Sequence, residues 1–257
     1  MSFVDSIFFG ALQGVTEFLP ISSSGHLILF ANFLHADIPS IVFEVVAHIG
    51  TLVSILFIFR SDIIRIVDNV INKRDFQEII LIAIATLPIA IVGLIFKSYF
   101  ETAFTSITIV GTCLVITGII LGSTLFTSFG QEKKLSLFSA LIIGTIQAFA
   151  LLPGISRSGV TISIALWIGI SREEAGRFSF LIAIPAIMGS LILTLPNIIN
   201  FSSLEGSNSL LITTLTSAFL VGLITLKILM KVLKSGKLYL FSAYCIVLGI
   251  ASLISTI

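Results

Sequence analysis

Two apolar stretches of this chain, about 3–34 and 137–169, are each interrupted midway by a cluster of Pro, Gly and Ser. Six further stretches run without interruption: roughly 41–59, 79–96, 106–126, 178–196, 210–230 and 239–257. A spanning helix needs about 20 apolar residues, so each of the six reads as a transmembrane helix. Each half of an interrupted stretch is too short to cross untilted. With 56% apolar and 11% charged residues, against about 25% charged in soluble domains, the class is an all-α polytopic membrane protein. The interrupted stretches are broken spans or re-entrant helix–turn–helix hairpins, since non-helical backbone at membrane depth survives only where protein buries it or water reaches it.

Loop charge decides between the two. If both are hairpins, loops 60–78, 127–136, 170–177 and 231–237 share one side. They carry Arg60, Arg65, Lys73, Arg74, Lys133, Lys134, Arg172, Arg177, Lys231, Lys234 and Lys237, against Lys97 on the other side. If the second interrupted stretch spans, the bias falls to about six against six. The expectation is therefore six transmembrane helices plus two re-entrant hairpins, with 60–78 cytoplasmic, both termini outside and His35 in a short outer loop. Asp5 stands where a secretory signal would carry a base, so no cleavable signal is expected.

The hairpins resemble each other. GALQGVTEFLPISSSGH at 10–26 aligns with GTIQAFALLPGISRSGV at 144–160, an offset of about 134 residues. Gly10, Gln13, Ile21, Ser22, Ser24 and Gly25 match Gly144, Gln147, Ile155, Ser156, Ser158 and Gly159. Each half is one hairpin and three spans, and an odd number of spans inverts the second half. This predicts one integral membrane domain over 1–257, with inverted-topology repeats at about 1–130 and 135–257 and hairpin tips meeting near the midplane. The copies differ at Glu17 against Leu151, Ser23 against Arg157 and His26 against Val160, so one hairpin carries acid–base groups and the other a cation.

Gln13 and Glu17, four apart, share a helix face. An intramembrane carboxylate is a functional hypothesis by default. Glu17 could hold a divalent cation, act as general base, or merely bond the serine turn. The turns Ser22–Ser24 and Ser156–Ser158 could simply cap helices, or aim N–H groups and positive dipole ends at phosphates. Arg157 supplies a fork matched to phosphate oxygens or pairs with Glu17. His26 is a candidate general acid–base or phosphoryl acceptor. Glu44 and His48, again four apart, either support the site from behind or pair with each other. Glu173 and Glu174 beside Arg172 and Arg177 read as surface pairs, and Gly10 with Gly14 as a close-packing GxxxG. Cys113 and Cys245 read as core residues, not a disulfide or metal pair. A net charge of +1 gives no reason to expect nucleic acid, and HExxH, CxxC, P-loop and GxGxxG patterns are absent.

QGVTEFLPISSSGH and PGISRSGVT, together with FEVVAHIGT and RFSFLIAIP, resemble the signature segments of the bacitracin-resistance-type undecaprenyl-diphosphate phosphatases, and the resemblance covers the whole chain. It implies removal of one phosphate from a C55 isoprenoid diphosphate, recycling the cell-wall carrier lipid at the outer face of the bacterial plasma membrane, with a magnesium or calcium ion required. It assigns roles to Glu17, Ser22, Ser23, His26, Ser156, Arg157 and Thr161. Gln13 stands where some members carry Glu, so it is a neutral metal ligand or a donor to phosphate. Ser23, a water activated by His26 or Glu17, and a direct phosphohistidine at His26 remain open as nucleophile. A secondary transporter or lipid flippase is the alternative that the repeat alone suggests. A phosphatidic-acid-type phosphatase would need a second histidine after SR, and SRSGVTISIALWIGI has none. The implied partners are an isoprenoid diphosphate and membrane lipids; a homodimer is compatible with the sequence, which does not set the oligomeric state.

Overall fold

The computed structural model describes residues 2–33, 41–127, 133–202 and 207–255. All regular elements among them are helical, and small polar residues start several of them. Ser2 and Asp5 form a capping box on α1 (Phe3–Thr16), followed by α2 (Ser23–Phe33) and α3 (Ile41–Ile58). Next come α4 (Arg60–Lys73), α5 (Gln77–Ile95) and α6 (Lys97–Ala103). Ser106 caps α7 (Ile107–Ser123), Ser136 caps α8 (Leu137–Phe149) and Ser156 caps α9 (Arg157–Trp167). The chain closes with α10 (Arg172–Ser202), α11 (Ser207–Lys234) and α12 (Leu240–Ile254).

Four helical segments, Gln77–Ile95, Ile107–Phe126, Arg172–Ile192 and Asn208–Lys234, are each long and apolar enough to cross a bilayer. Val42–Ile58 continues into Arg60–Lys73 through a 71° bend. The last helix has 15 residues, which spans about 22 Å. Ile91, Leu94, Ile119, Ile212, Ile224 and Val247 face outward. The molecule is a multi-pass helical membrane protein.

Both interrupted stretches break where the Pro–Gly–Ser clusters stand, α1 from α2 and α8 from α9. Three expected loops are partly helical instead. Residues 231–234 close α11. Residues 60–73 of the expected loop 60–78 form α4, because Ile63, Ile66, Val67 and Val70 recur at helical spacing; Ile66 is buried and Ile63 packs on the core. Residues of the expected 170–177 loop open α10, where Glu173 and Glu174 in the first turn suit the positive end of the helix dipole. Glu173 makes an exposed pair with a residue the sequence did not single out for it, Lys234, at 3.1 Å, while Glu174 pairs with Arg177. Arg177 does more: it bonds Glu174, Asp62 and Glu78, and Arg65 bonds the last two, tying α4, α5 and α10 together. Lys97 opens α6. The reading of His35 falls outside the described residues.

Helix pairing sets the positions of the breaks. On α1, Gly10 faces the backbone of Thr214 and Ala218 in α11, and Gly14 faces Ala218 and Gly222. On α8, Gly144 faces the backbone of Ala85 in α5. In each case a Cβ would collide with the partner helix. Next to the first break, Phe180 meets Phe18 edge-on and stacks on Phe59, with ring centroids 5.8 and 5.9 Å apart. Cys113 and Cys245 are buried free thiols.

Candidate active site

The two breaks are elbows that touch. In the first, Ser22 takes a left-handed backbone (φ 69°), a conformation that costs a non-glycine residue about 1–3 kcal/mol. Its hydroxyl and its carbonyl are both used. Ser22 Oγ accepts the N–H of Gly25 at 3.3 Å and that of Gly154, from the other elbow, at 3.1 Å. Its carbonyl accepts from the His26 amide at 3.2 Å and lies 2.8 Å from His26 Nδ1. In the second elbow the left-handed position (φ 98°) belongs to Gly154, where only glycine fits against the Val110 carbonyl. Thr117 Oγ1 donates to the Gly154 carbonyl at 2.9 Å and accepts the Ser156 N–H at 3.1 Å. Cys245 Sγ reaches the Pro20 carbonyl at 3.6 Å, and Ser158 Oγ donates to the Phe18 carbonyl at 3.2 Å. Neither elbow is closed without the other.

The serines divide the work. Ser156 Oγ accepts the Gly159 N–H at 3.2 Å, the counterpart of Ser22 and Gly25, so Ser22 and Ser156 are helix caps. Ser24 and Ser158 lie 3.5 and 3.3 Å from the capping hydroxyls. Ser23, between them, turns its hydroxyl onto Glu17 Oε2 at 2.8 Å.

Glu17 is the hub. Its side chain is 8% exposed, and Arg157 Nη2 donates to Oε1 at 2.7 Å. Gln13 Nε2 donates to Oε2 at 3.1 Å and sits 3.1 Å from His48 Nδ1, while His48 Nδ1 lies 3.6 Å from Oε2. Glu44 is within electrostatic range of both His48 and Glu17. Behind Arg157, its Nη1 donates to the Ser179 carbonyl at 3.4 Å. Thr161 Oγ1 holds the Arg157 carbonyl and the Ser179 hydroxyl, both at 2.7 Å. Gln13, Glu17, Ser23, Arg157 and His48 thus converge, and Thr161 braces the arginine from behind.

His26 takes no part in these contacts and makes its own. Its ring nitrogens bond the Ser22 carbonyl and the Tyr244 hydroxyl, the latter at 2.7 Å. Tyr244, Ser179 and Thr117 escaped the sequence reading. Tyr244 and Thr117 lie in largely apolar helices beside other small polar residues, so their signal was weak.

Among the described residues, no three His, Cys, Asp or Glu side chains come close enough to form a metal cluster by themselves. Yet Gln13 Oε1 is buried without a partner, because the amide nitrogen is committed to Glu17. An orphaned amide oxygen beside a carboxylate is a hard donor pair, and magnesium commonly binds through one or two carboxylates plus substrate phosphates. The residues present fit a divalent cation shared with an anionic substrate.

A carboxylate–hydroxyl pair, a fixed cation and two helix N-termini, all enclosed by membrane helices, define a helical membrane protein with a site for phosphate-bearing substrates. More narrowly, the chain belongs to the bacitracin resistance protein BacA family, whose model matches residues 6–251. A relative from Desulforapulum autotrophicum, named undecaprenyl-diphosphatase, is 38% identical over 99% of both chains. One of the same name from Korarchaeum cryptofilum is 40% identical over 98% of this chain and 99% of its own. Undecaprenyl-diphosphatase 1 of Bacillus cereus is 37% identical over 95% and 94%.

Proposed function

We propose that the chain is an undecaprenyl-diphosphatase, hydrolysing undecaprenyl diphosphate to undecaprenyl phosphate and inorganic phosphate. The observation that carries this is the cluster at Glu17, with Ser23 Oγ at 2.8 Å on one carboxylate oxygen and Arg157 Nη2 at 2.7 Å on the other. Nucleophile and cation are each within hydrogen-bond reach of the base before substrate arrives. No observation favours the transporter reading over hydrolysis.

The chemistry follows from those contacts. Ser23 Oγ attacks the terminal phosphorus while Glu17 takes its proton. The P–O bond to the bridging oxygen breaks, and undecaprenyl phosphate leaves as an anion that needs no acid. Arg157 shifts from Glu17 to the terminal phosphate oxygens, where its fork spreads the charge. Water then displaces serine from phosphorus, with His26 Nε2 as its base. Gln13 Oε1 and Glu17 would hold a magnesium or calcium ion, which supplies neutralisation of phosphate charge. The N-termini of α2 and α9 face the same charge.

The surrounding architecture we read as six spans and two re-entrant hairpins in an inverted repeat. Supporting this, α1 packs on α11 as α8 packs on α5, and Ser22 caps Gly25 as Ser156 caps Gly159. The basic loops point 60–78 and 231–237 to the cytoplasm of a bacterial plasma membrane, with the site open to the outer side. The test is phosphate release from C55 diphosphate by purified protein, with and without chelator. Wild type should release phosphate and Ser23→Ala should not; equal rates from the two would overturn the reading.

A further inference from the structure

The nucleophile cluster accounts for Glu17, Ser23 and Arg157, but not for the way His26 is held. Its Nδ1 lies 2.8 Å from the Ser22 carbonyl. A carbonyl only accepts, so Nδ1 carries the proton and Nε2 carries the lone pair. That carbonyl is aimed by the left-handed backbone of Ser22, so the tautomer is set by the elbow itself. Nε2 meets the hydroxyl of Tyr244 at 2.7 Å, and the two ring planes are within 7° of each other. Tyr244 therefore donates to the lone pair.

The helix that brings Tyr244 is itself fixed to the elbows. The next residue, Cys245, reaches Pro20 in the first elbow, and Ser242 Oγ donates to the Gly118 carbonyl of α7 at 2.6 Å. On α7, Thr117 is the residue that closes the second elbow. The tyrosine is thus registered to both turns, although it is 218 residues from His26 in sequence.

We propose that Tyr244 is a positioning residue for undecaprenyl-diphosphate hydrolysis: its hydroxyl fixes the orientation of the His26 imidazole with Nε2 unprotonated, and yields that nitrogen to the attacking water in the second step. This rests on the assignment of His26 as base under the proposed function. At that step the water O–H replaces the tyrosine O–H on Nε2. The water proton passes to Nε2 as the water oxygen bonds phosphorus, the bond from phosphorus to Ser23 Oγ breaks, Glu17 returns to the serine oxygen the proton it took in the first step, and His26 then releases its proton to bulk water. Tyr244 keeps its own proton throughout. Acting through His26 and not on substrate, it should influence turnover and leave substrate affinity alone.

The experiment compares Tyr244→Phe, Tyr244→Leu and His26→Ala in detergent-solubilised full-length protein, with C55 diphosphate as substrate and 15N-labelled histidine for NMR. Loss of one neutral hydrogen bond corresponds to a change of about three- to tenfold. Tyr244→Phe should lower kcat and KM together by about that factor, leaving kcat/KM unchanged because the water step follows departure of undecaprenyl phosphate, and move the His26 Nε2 resonance toward that of a free imidazole nitrogen. His26→Ala identifies the resonance and should lose far more activity. Tyr244→Leu, which also loses the parallel ring, should fall below Tyr244→Phe. An unmoved Nε2 resonance in Tyr244→Phe would refute the contact. An unaltered kcat beside an inactive His26→Ala would refute the role while leaving His26 as base. A raised KM at constant kcat would make Tyr244 a substrate contact instead. A fully active His26→Ala would remove the assignment of His26 and this proposal with it, whereas hydrolysis through Ser23 would stand.

Discussion

Breaking the Glu17–Arg157 pair one side at a time should separate folding from chemistry. The pair is tight, at 2.7 Å, and dry, with side chains 14% and 8% exposed. Charge centres about 4 Å apart attract by about 4 kcal/mol at an effective dielectric near 20, while taking two ions out of water costs several kcal/mol each. The pair is therefore close to neutral as a whole, and removing one member strands the other. Arg157→Met should destabilise by about 3 kcal/mol, the low end for a broken buried pair, since Gln13 and Ser23 still donate to Glu17. Glu17→Gln leaves a stranded guanidinium and should cost a similar amount. The double variant strands neither charge and should return to within about 1 kcal/mol of wild type. Phosphate release behaves differently: each single variant and the double should lose at least about a hundredfold, the scale of a lost charge-stabilising group. Denaturant unfolding in one fixed micelle, alongside phosphate release, gives both readouts. If Arg157→Met is as stable and as active as wild type, the pair neither holds the elbows nor serves the reaction, and the reasoning fails.

Other consequences follow from single contacts. Thr117→Val removes the donor to Gly154 and the acceptor for Ser156, leaving two buried backbone groups unpaired; the expected cost is about 2 kcal/mol or more, with reduced turnover, measured by the same unfolding and release assays. Gln13→Glu replaces the orphaned amide oxygen by a second carboxylate, so it should restore phosphate release after chelation at lower magnesium than wild type needs, while Gln13→Ala should need more. Gly144→Val would drive a branched side chain into the backbone of Ala85, and should lower stability by about 1–3 kcal/mol as read by thermal unfolding.

Much of this arrangement could be read from the sequence, and for identifiable reasons. A polar cluster inside an apolar run has few explanations in lipid, so the elbows and the residues Glu17, Ser23, His26 and Arg157 stood out. The match between 10–26 and 144–160 foretold that the elbows would meet, and the 2.7 Å contact between Glu17 and Arg157 agrees. What the sequence could not supply was partner choice across long separations. His48 was as free to pair with Glu44 as to join Gln13. Tyr244 and Thr117 carried no local pattern, because each acts through one hydroxyl aimed by helix packing. Helix α4 reads as a loop on its charges, and only the apolar spacing of Ile63, Ile66 and Val70 marks it as a helix.

The mutual closure of the elbows has a consequence for biogenesis. A ribosome delivers Glu17, Ser23 and His26 to the bilayer long before it reaches Gly154, Arg157 and Ser158. During that interval the first elbow lacks the amide that binds Ser22 Oγ, the hydroxyl that binds the Phe18 carbonyl and the counter-ion of its carboxylate. A nascent chain therefore carries an unfinished, silent site, and catalytic competence arrives only when the second half has been made and inserted.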